Sequence, residues 1–384
     1  MRHLTLIVKP THACPARCIY CSAHHGDREA GPPAVMSRDT LRALMARLEE
    51  HALGGHLQSV LFTWHGGEPL LVENSFYEEA LTLQREQLTA LGVQVGNVMQ
   101  SNLLPLDGEK ALMLDRLLRY HDGSRSKVGT SFDPLPGIRL LPGDDYARRW
   151  WDSVAILQRH GLEFGLVYTV HRRSLAETES IFRFFSQRLP GISVRFNPMY
   201  AEGRAAHSSM ASFHVSPEEW GRFLIGFHRL WEESGSKEHY SPFVEYDQFH
   251  REGNFQLSCE SSGRCTVSHL GVDARGDVYC CGRGIEEGSL RYGSVHRHPL
   301  TEILGAARRL AMENRRALLE ISSCRDCPWW QYCHGGCPVD SLLTHGDLTH
   351  PTNWCLGRLL YFRTVFGTPR PSPTAATVST GVYA

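Results

Sequence analysis

The sequence predicts an α/β fold: a parallel sheet built from six strand-helix units, followed by a small cysteine-rich domain. Two observations carry this. Through residues 1–235, short β-branched and apolar runs alternate with stretches of helical periodicity. The cysteines are also segregated. Three lie between Cys14 and Cys21, none occurs from there to Cys259, and nine follow up to Cys355.

Six runs read as strands: Leu4–Lys9, Ser59–Trp64, Val93–Met99, Lys127–Phe132, Glu163–Val170 and Ile192–Asn197. The first helix follows from Leu41, Leu44, Met45 and Leu48 at three- and four-residue steps, opened by Ser37 and stopped at Gly54-Gly55. Helical periodicity also covers Phe76–Leu91, Gly108–Tyr120, Tyr146–His160 and Ser174–Leu189. A last helix opens at Ser216-Pro217-Glu218-Glu219, a capping box with proline at the first helical position. Strands separated by helices run parallel, joined by right-handed crossovers. An open doubly wound sheet and an incomplete barrel both satisfy the pattern, and both gather ligands at the carboxyl ends of the strands. The three-cysteine group follows the first strand and a His-Gly-Gly-Glu segment follows the second, so both fall on that face.

Residues 236–258 bridge to the cysteine-rich part. From Cys259 to residue 366 there are few long periodic segments and many turn residues, so bound metal would supply stability that a small core cannot. The tail 367–384, with Pro369, Pro371 and Pro373 followed by Ala, Thr and Ser, reads as flexible.

The formal net charge of -1 gives no electrostatic footprint for nucleic acid or an anionic membrane. No apolar run is long enough to span a bilayer, and Met1 to Pro10 lacks the pattern of a secretory signal, so a soluble, cytoplasmic protein is expected. In that compartment twelve cysteines read as metal ligands rather than disulfides. The first strand starts almost at Met1, so no separate leader-binding domain is expected ahead of it. Substrate recognition would then fall to the barrel, the cysteine-rich domain or a separate partner.

Cys14-Pro-Ala-Arg-Cys18-Ile-Tyr20-Cys21 offers three thiolates with three- and two-residue gaps. A 4Fe–4S cube needs four ligands, so three close cysteines leave one iron open to chelate a small molecule. The alternative is a zinc knuckle completed by His24 or His25. With the aromatic Tyr20 before its last cysteine, the segment resembles the signature of the radical S-adenosylmethionine (SAM) superfamily. Leu6-Ile7-Val8-Lys9-Pro10 is similar to the first strand of the anaerobic sulfatase-maturating enzymes and related peptide-modifying members. The resemblance implies a partial (β/α)6 TIM-like barrel over residues 1–235. It also implies SAM bound through its amino and carboxylate groups to the open iron, and one-electron cleavage to a 5′-deoxyadenosyl radical. Tyr20 would lie against the adenine.

Within Trp64-His65-Gly66-Gly67-Glu68-Pro69, paired glycines permit close backbone approach and Glu68 suits an ammonium group. The segment matches the family's GGEP motif, which implies that Gly66, Gly67 and Glu68 hold the methionine amine of SAM. Gln100-Ser101-Asn102 resembles the QTNG segment, and Ser131-Phe132-Asp133 the SLDG segment, with Ser131 placed to hydrogen-bond SAM. Leu103 and Pro134 stand where those motifs have glycine. Arg139 is a candidate partner for the SAM carboxylate because its guanidinium offers a fork, and Asn197 is a candidate for the ribose.

Cys324-x2-Cys327-x5-Cys333-x3-Cys337, then Cys355, preceded by Cys259, Cys265 and Cys280, resembles the iron–sulfur SPASM extension of radical SAM enzymes. One or two structural zincs are the alternative. The resemblance implies a C-terminal SPASM domain over residues 259–366 with two auxiliary 4Fe–4S clusters, three clusters in all. It assigns Cys259, Cys265, Cys280 and Cys337 to the first auxiliary cluster, and Cys324, Cys327, Cys333 and Cys355 to the second. Cys281 is left over. At that place sulfatase-maturating enzymes carry an aspartate general base, so a thiol here argues against formylglycine formation and permits hydrogen-atom donation. A buried bystander, or an alternative ligand to Cys280, is the plainer reading.

The leading expectation is therefore a peptide-modifying enzyme that abstracts hydrogen from a ribosomally made peptide, giving an oxidative cross-link or an epimerised residue. A sulfatase-maturase-like oxidation of Cys or Ser in a protein substrate is the alternative, and a non-catalytic iron–sulfur electron-transfer protein is a third. A peptide or protein substrate and an electron donor such as flavodoxin or ferredoxin are the expected partners.

Overall fold

A computed structural model describes residues 2–22, 34–120, 122–236, 238–253, 255–286 and 288–370. His24, His25 and most of the proline-containing tail lie outside the described residues. The chain divides into two compact units. One comprises Met1–Val215, Lys237–His239 and Arg264–Asn314, the other Ser216–Ser236, Tyr240–Gly263 and Arg315–Ala384. This division by compactness cuts the cysteine-rich part differently from the functional boundaries read from the sequence.

In the first unit six parallel strands run β1 (His3–Val8), β2 (Ser59–Trp64), β3 (Gln94–Gln100), β4 (Val128–Ser131), β5 (Phe164–Val170) and β6 (Val194–Pro198), each paired with its sequence neighbour. Helices α1 (Arg38–Leu53), α2 (Asn74–Leu83), α3 (Gly108–Leu117) and α4 (Tyr146–Arg159) fall where periodicity places them. Ser37 caps α1 by accepting from the Thr40 amide. Beyond β1 the sheet continues on its other side. His269–Val272 joins β1 in parallel, Asp277–Tyr279 pairs antiparallel to it, and Arg291–Ser294 follows antiparallel.

Burial alternates strictly along β1, β2, β4, β5 and β6. Leu4, Leu6 and Val8 on β1, Val60, Phe62 and Trp64 on β2, and Phe164, Leu166, Tyr168 and Val170 on β5 are buried. Their neighbours, among them Thr63, Ser131, Thr169 and Asn197, are half-buried and often polar. A doubly wound sheet covers both faces of its strands and reads as continuous apolar runs. One dry face and one half-open polar face instead suit a curved sheet whose inner side lines a cavity.

Where α2 ends, a π turn (Gln84–Leu88) interrupts the helix. It aims Gln84 at Asn97 on β3 in a reciprocal amide pair (3.0 and 2.9 Å), and Asn97 also accepts from the Trp64 indole at 2.9 Å. In the second unit, Pro217–Ser234 packs on Cys355–Phe366 around an aromatic core that includes Phe227, Phe243, Tyr246 and Tyr361.

Candidate active site

The cysteine loop after β1 is held by backbone from three directions. From the β2 side, His65, Gly67 and Glu68 amides donate to Val8, Thr11 and Ala13 carbonyls at 2.8, 2.9 and 2.8 Å. Gly66 sits at φ +129°, and a Cβ there would lie 2.4 Å from the Thr11 carbonyl oxygen; one on Gly67 would lie 2.3 Å from that of Ala13. The two glycines thus serve the close approach of the two loops before any ligand. From the β4 side, Arg17 donates to Leu140 (2.7 Å) and Ile19 to Ile138 (3.0 Å). From beyond β6, Arg204 donates to Cys21 (3.0 Å).

Glu68 is fully buried. Its Oε1 accepts from the Leu70 amide (2.9 Å) and the Ser101 hydroxyl (2.7 Å), and its Oε2 from the Asn102 amide (2.7 Å). Burial pushes its pKa up to about 7 in spite of those three donors. Oε2 keeps a lone pair for a further donor. Asn102 Nδ2 in turn donates to Cys14 Sγ at 3.3 Å. Glu68, the segment after β3 and the first cysteine therefore form one hydrogen-bonded chain. Burial, followed by the negative charge of Glu68, Cys18 and Cys21, pushes the Cys14 thiol up to about 12.

Arg139 lies with its guanidinium 5.7 Å from the Tyr20 ring and 4.8 Å from the Tyr146 ring. Burial alone would lower its pKa, yet the charge of Cys18, with which it shares a hydrogen bond, and of the two phenols pushes it up. Among the described residues, Arg139 Nε and Nη1 and the Tyr20 hydroxyl are buried without a hydrogen-bond partner. Ser131 Oγ accepts from Gln100 Nε2 (3.1 Å), and Asn197 Oδ1 accepts from Arg195 Nε (3.2 Å). A cavity of 880 Å³ is lined by Arg17, Asp133, Arg139, Tyr146 and their neighbours. Next to it is a buried pair that sequence reading missed: His171, just past β5, with Nε2 3.0 Å from Asp133 Oδ2. A lone histidine at a strand end gives no signal of such a partner 38 positions away.

Cys265, Cys280 and Cys281 lie in the first unit around Tyr292, whose hydroxyl burial and then the charge of these three thiols hold strongly protonated. Cys280 Sγ stands 3.8 Å from Cys281 Sγ. Donation from Cys280, helped by the Gly284 amide and the Arg283 charge, draws Cys281 down to about 6 against its burial. Cys259 and Cys337 belong to the second unit, as do Cys324, Cys327, Cys333 and Cys355. Those last four converge: burial first, then the charge of Cys333, Cys355 and Cys327, pushes Cys324 up to about 12, and burial with Cys333 and Cys327 pushes Cys355 up to about 11. Two buried arginines accompany them. Arg315 donates to the Gly335, Gly336 and His350 carbonyls, and Arg358 pairs with Glu260 at 2.9 Å. Arg315 sits beside Asn314 and Arg316 in the sequence, which hides it, while Arg358 stands alone in an apolar run. Among the described residues no three His, Cys, Asp or Glu side chains stand close enough to hold one metal ion.

No family model matches the chain. Curated proteins do. It is 25% identical to a serine-type anaerobic sulfatase-maturating enzyme of Bacteroides thetaiotaomicron, over 94% of this chain and 89% of that protein. A second serine-type enzyme, from Klebsiella aerogenes, is 26% identical over 95% and 86%. A cysteine-type enzyme from Clostridium perfringens is 23% identical over 88% and 89%. Among solved structures, anSMEcpe with bound AdoMet superposes with a TM-score of 0.80 at 20% identity, covering 95% of this chain and 93% of that one. Streptococcus suis SuiB bound to precursor peptide SuiA reaches 0.59 at 14% identity, over 92% and 76%. The sheet is therefore the partial barrel of that fold with its C-terminal extension, and the chain is similar along nearly its whole length to anaerobic sulfatase-maturating enzymes.

Proposed function

We propose that this enzyme binds SAM over a 4Fe–4S cluster held by Cys14, Cys18 and Cys21, and modifies a residue of a ribosomally made peptide. The observation that carries the reading is the meeting of those cysteines with Glu68, Tyr20 and Arg139 at the strand ends. The fit is chemical. Three thiols leave one cluster position open. Arg139 Nε and Nη1 and the Tyr20 hydroxyl are buried groups in want of a polar ligand, and Glu68 keeps an acceptor site. When bound, the reduced cluster and SAM would supply a 5′-deoxyadenosyl radical able to take a hydrogen atom from a peptide.

The chain's own residues set up that chemistry. Glu68 would accept from the SAM ammonium, Arg139 would engage its carboxylate, and Ser131 and Asn197 line the half-open face nearby. Cys324, Cys327, Cys333 and Cys355 would hold one auxiliary cluster, and the family resemblance implies a second. Cys281, where an aspartate base is expected of a sulfatase maturase, would serve proton transfer, or hydrogen-atom donation from its protonated form. Oxidation of Cys or Ser in a protein substrate is the second reading, favoured by the near full-length match to sulfatase-maturating enzymes. A flavodoxin or ferredoxin would supply the electron.

Anaerobic reconstitution should load about twelve irons per chain, as three four-iron clusters require. Dithionite and SAM should then yield 5′-deoxyadenosine, and Cys14→Ala should abolish it. Tightly bound zinc in place of iron would sink the proposal. Mass spectrometry of a precursor peptide and of a sulfatase peptide after turnover in deuterated water separates the two substrates. Deuterium at an α-carbon identifies epimerisation.

A further inference from the structure

Of the three contacts that hold the cysteine loop, the one from beyond β6 brings charge as well as geometry. Gly203, at φ +55°, presses on the loop: a Cβ there would lie 2.5 Å from the Ser22 carbonyl oxygen and 2.7 Å from that of Cys21. Arg204 follows. Its amide donates to Cys21 O at 3.0 Å and its Nη1 to Cys18 O at 3.4 Å. The nearest carboxylate in sequence, Glu202, is already engaged by Arg283, through Nε at 3.2 Å and through Nη2, and that guanidinium also stacks 3.8 Å from the Tyr200 ring centre. Among the described residues no carboxylate forms an ion pair with Arg204. Arg139 meets Cys18 from its sulfur side. Cys18 is thus bracketed by two guanidinium groups.

A cluster that takes up one electron gains one negative charge, with no bond made or broken in the protein. A cation beside it, unpaired with any carboxylate among the described residues, stabilises the reduced form more than the oxidised form. We infer that Arg204 is a positioning residue for the cysteine loop and that its charge raises the reduction potential of the cluster at Cys14, Cys18 and Cys21. The inference rests on the cluster assignment proposed above. Arg204 rather than Arg139 is the residue to change, because Arg139 is also placed to touch SAM.

The test is a redox titration of the reconstituted full-length enzyme, followed by electron paramagnetic resonance with and without SAM. The catalytic cluster is the signal that SAM perturbs. R204Q should lower the midpoint of that signal and leave the SAM-insensitive signals in place, while R204K stays close to wild type. A wild-type midpoint in R204Q, an equal shift in R204Q and R204K, or a common shift of all clusters would overturn the inference. If R204Q fails to load iron, R204H makes the charge titratable. Its midpoint should fall relative to wild type as pH rises from about 6 to 8, and a midpoint that tracks wild type overturns the inference. If wild type shows no SAM-responsive cluster, the functional reading itself has failed.

Discussion

At Glu68 a carboxylate is buried with three hydrogen-bond donors and, among the described residues, no ion pair. Its pKa of about 7 in the folded protein stands above the ordinary value of 4.5, so the folded state holds the proton more tightly than the unfolded chain. The stability this confers is full below about pH 4.5 and is lost as pH rises through 7, a change on the order of 3 kcal/mol. In SAM-free protein, the difference in unfolding free energy between wild type and Glu68→Gln should therefore slope downward between pH 5 and 8, and a flat difference would contradict this. Leu103 shows what the motif alone hides. It adopts φ +65°, the left-handed conformation that glycine would take at the end of a QTNG segment, and it is fully buried. That backbone costs about 1–2 kcal/mol for an L-residue. Truncating a buried leucine costs about 2–5 kcal/mol, so the side chain wins and the turn survives without its glycine. The Ser101 hydroxyl, which accepts from the Leu103 amide at 2.8 Å, and Ser153, which donates to its carbonyl at 2.8 Å, keep it there.

Among the elements, periodicity found every strand of the barrel within two residues and the first helix to its cap, because alternating burial and a capping serine are written locally. It ran α2 and the π turn together over Phe76–Leu91, since the amide pair between Gln84 and Asn97 joins residues 13 apart. It also read one helix over Ser174–Leu189 where the chain forms Arg172–Ala176 and Thr178–Arg188 with a break at Glu177. The helix pair of the second unit is set by two glycines. A Cβ on Gly357 would lie 2.0 Å from the Pro217 carbonyl oxygen, and one on Gly221 would lie 2.6 Å from that of Gly357. Gly357→Ala would gain about 1 kcal/mol of helix propensity but must push two backbones apart, an overpacking cost of about 1–3 kcal/mol or more. The variant should melt at a lower temperature than wild type, and an unchanged or higher melting temperature would refute this account of the contact.

For the whole molecule, the cysteine spacing told which thiols belong to which end of the chain, and the buried arginines that accompany them came only with the fold. Cys324, Cys327, Cys333 and Cys355 lie within one compact unit, and burial followed by the charge of their neighbours in this group raises Cys324 and Cys355. Cys324→Ala should therefore remove about four irons per chain while SAM cleavage to 5′-deoxyadenosine persists. Iron analysis beside a cleavage assay checks this, and loss of cleavage together with all iron would mean that the clusters assemble as one unit. The loop from Cys14 to Cys21 stands on different ground. Backbone-to-backbone hydrogen bonds tie it to the segments after β2, β4 and β6, and these need no iron. Its conformational entropy is thus surrendered when the chain folds rather than when the metal arrives. Iron lost to oxygen at this site should leave a loop ready to be refilled, not a chain that has to fold again.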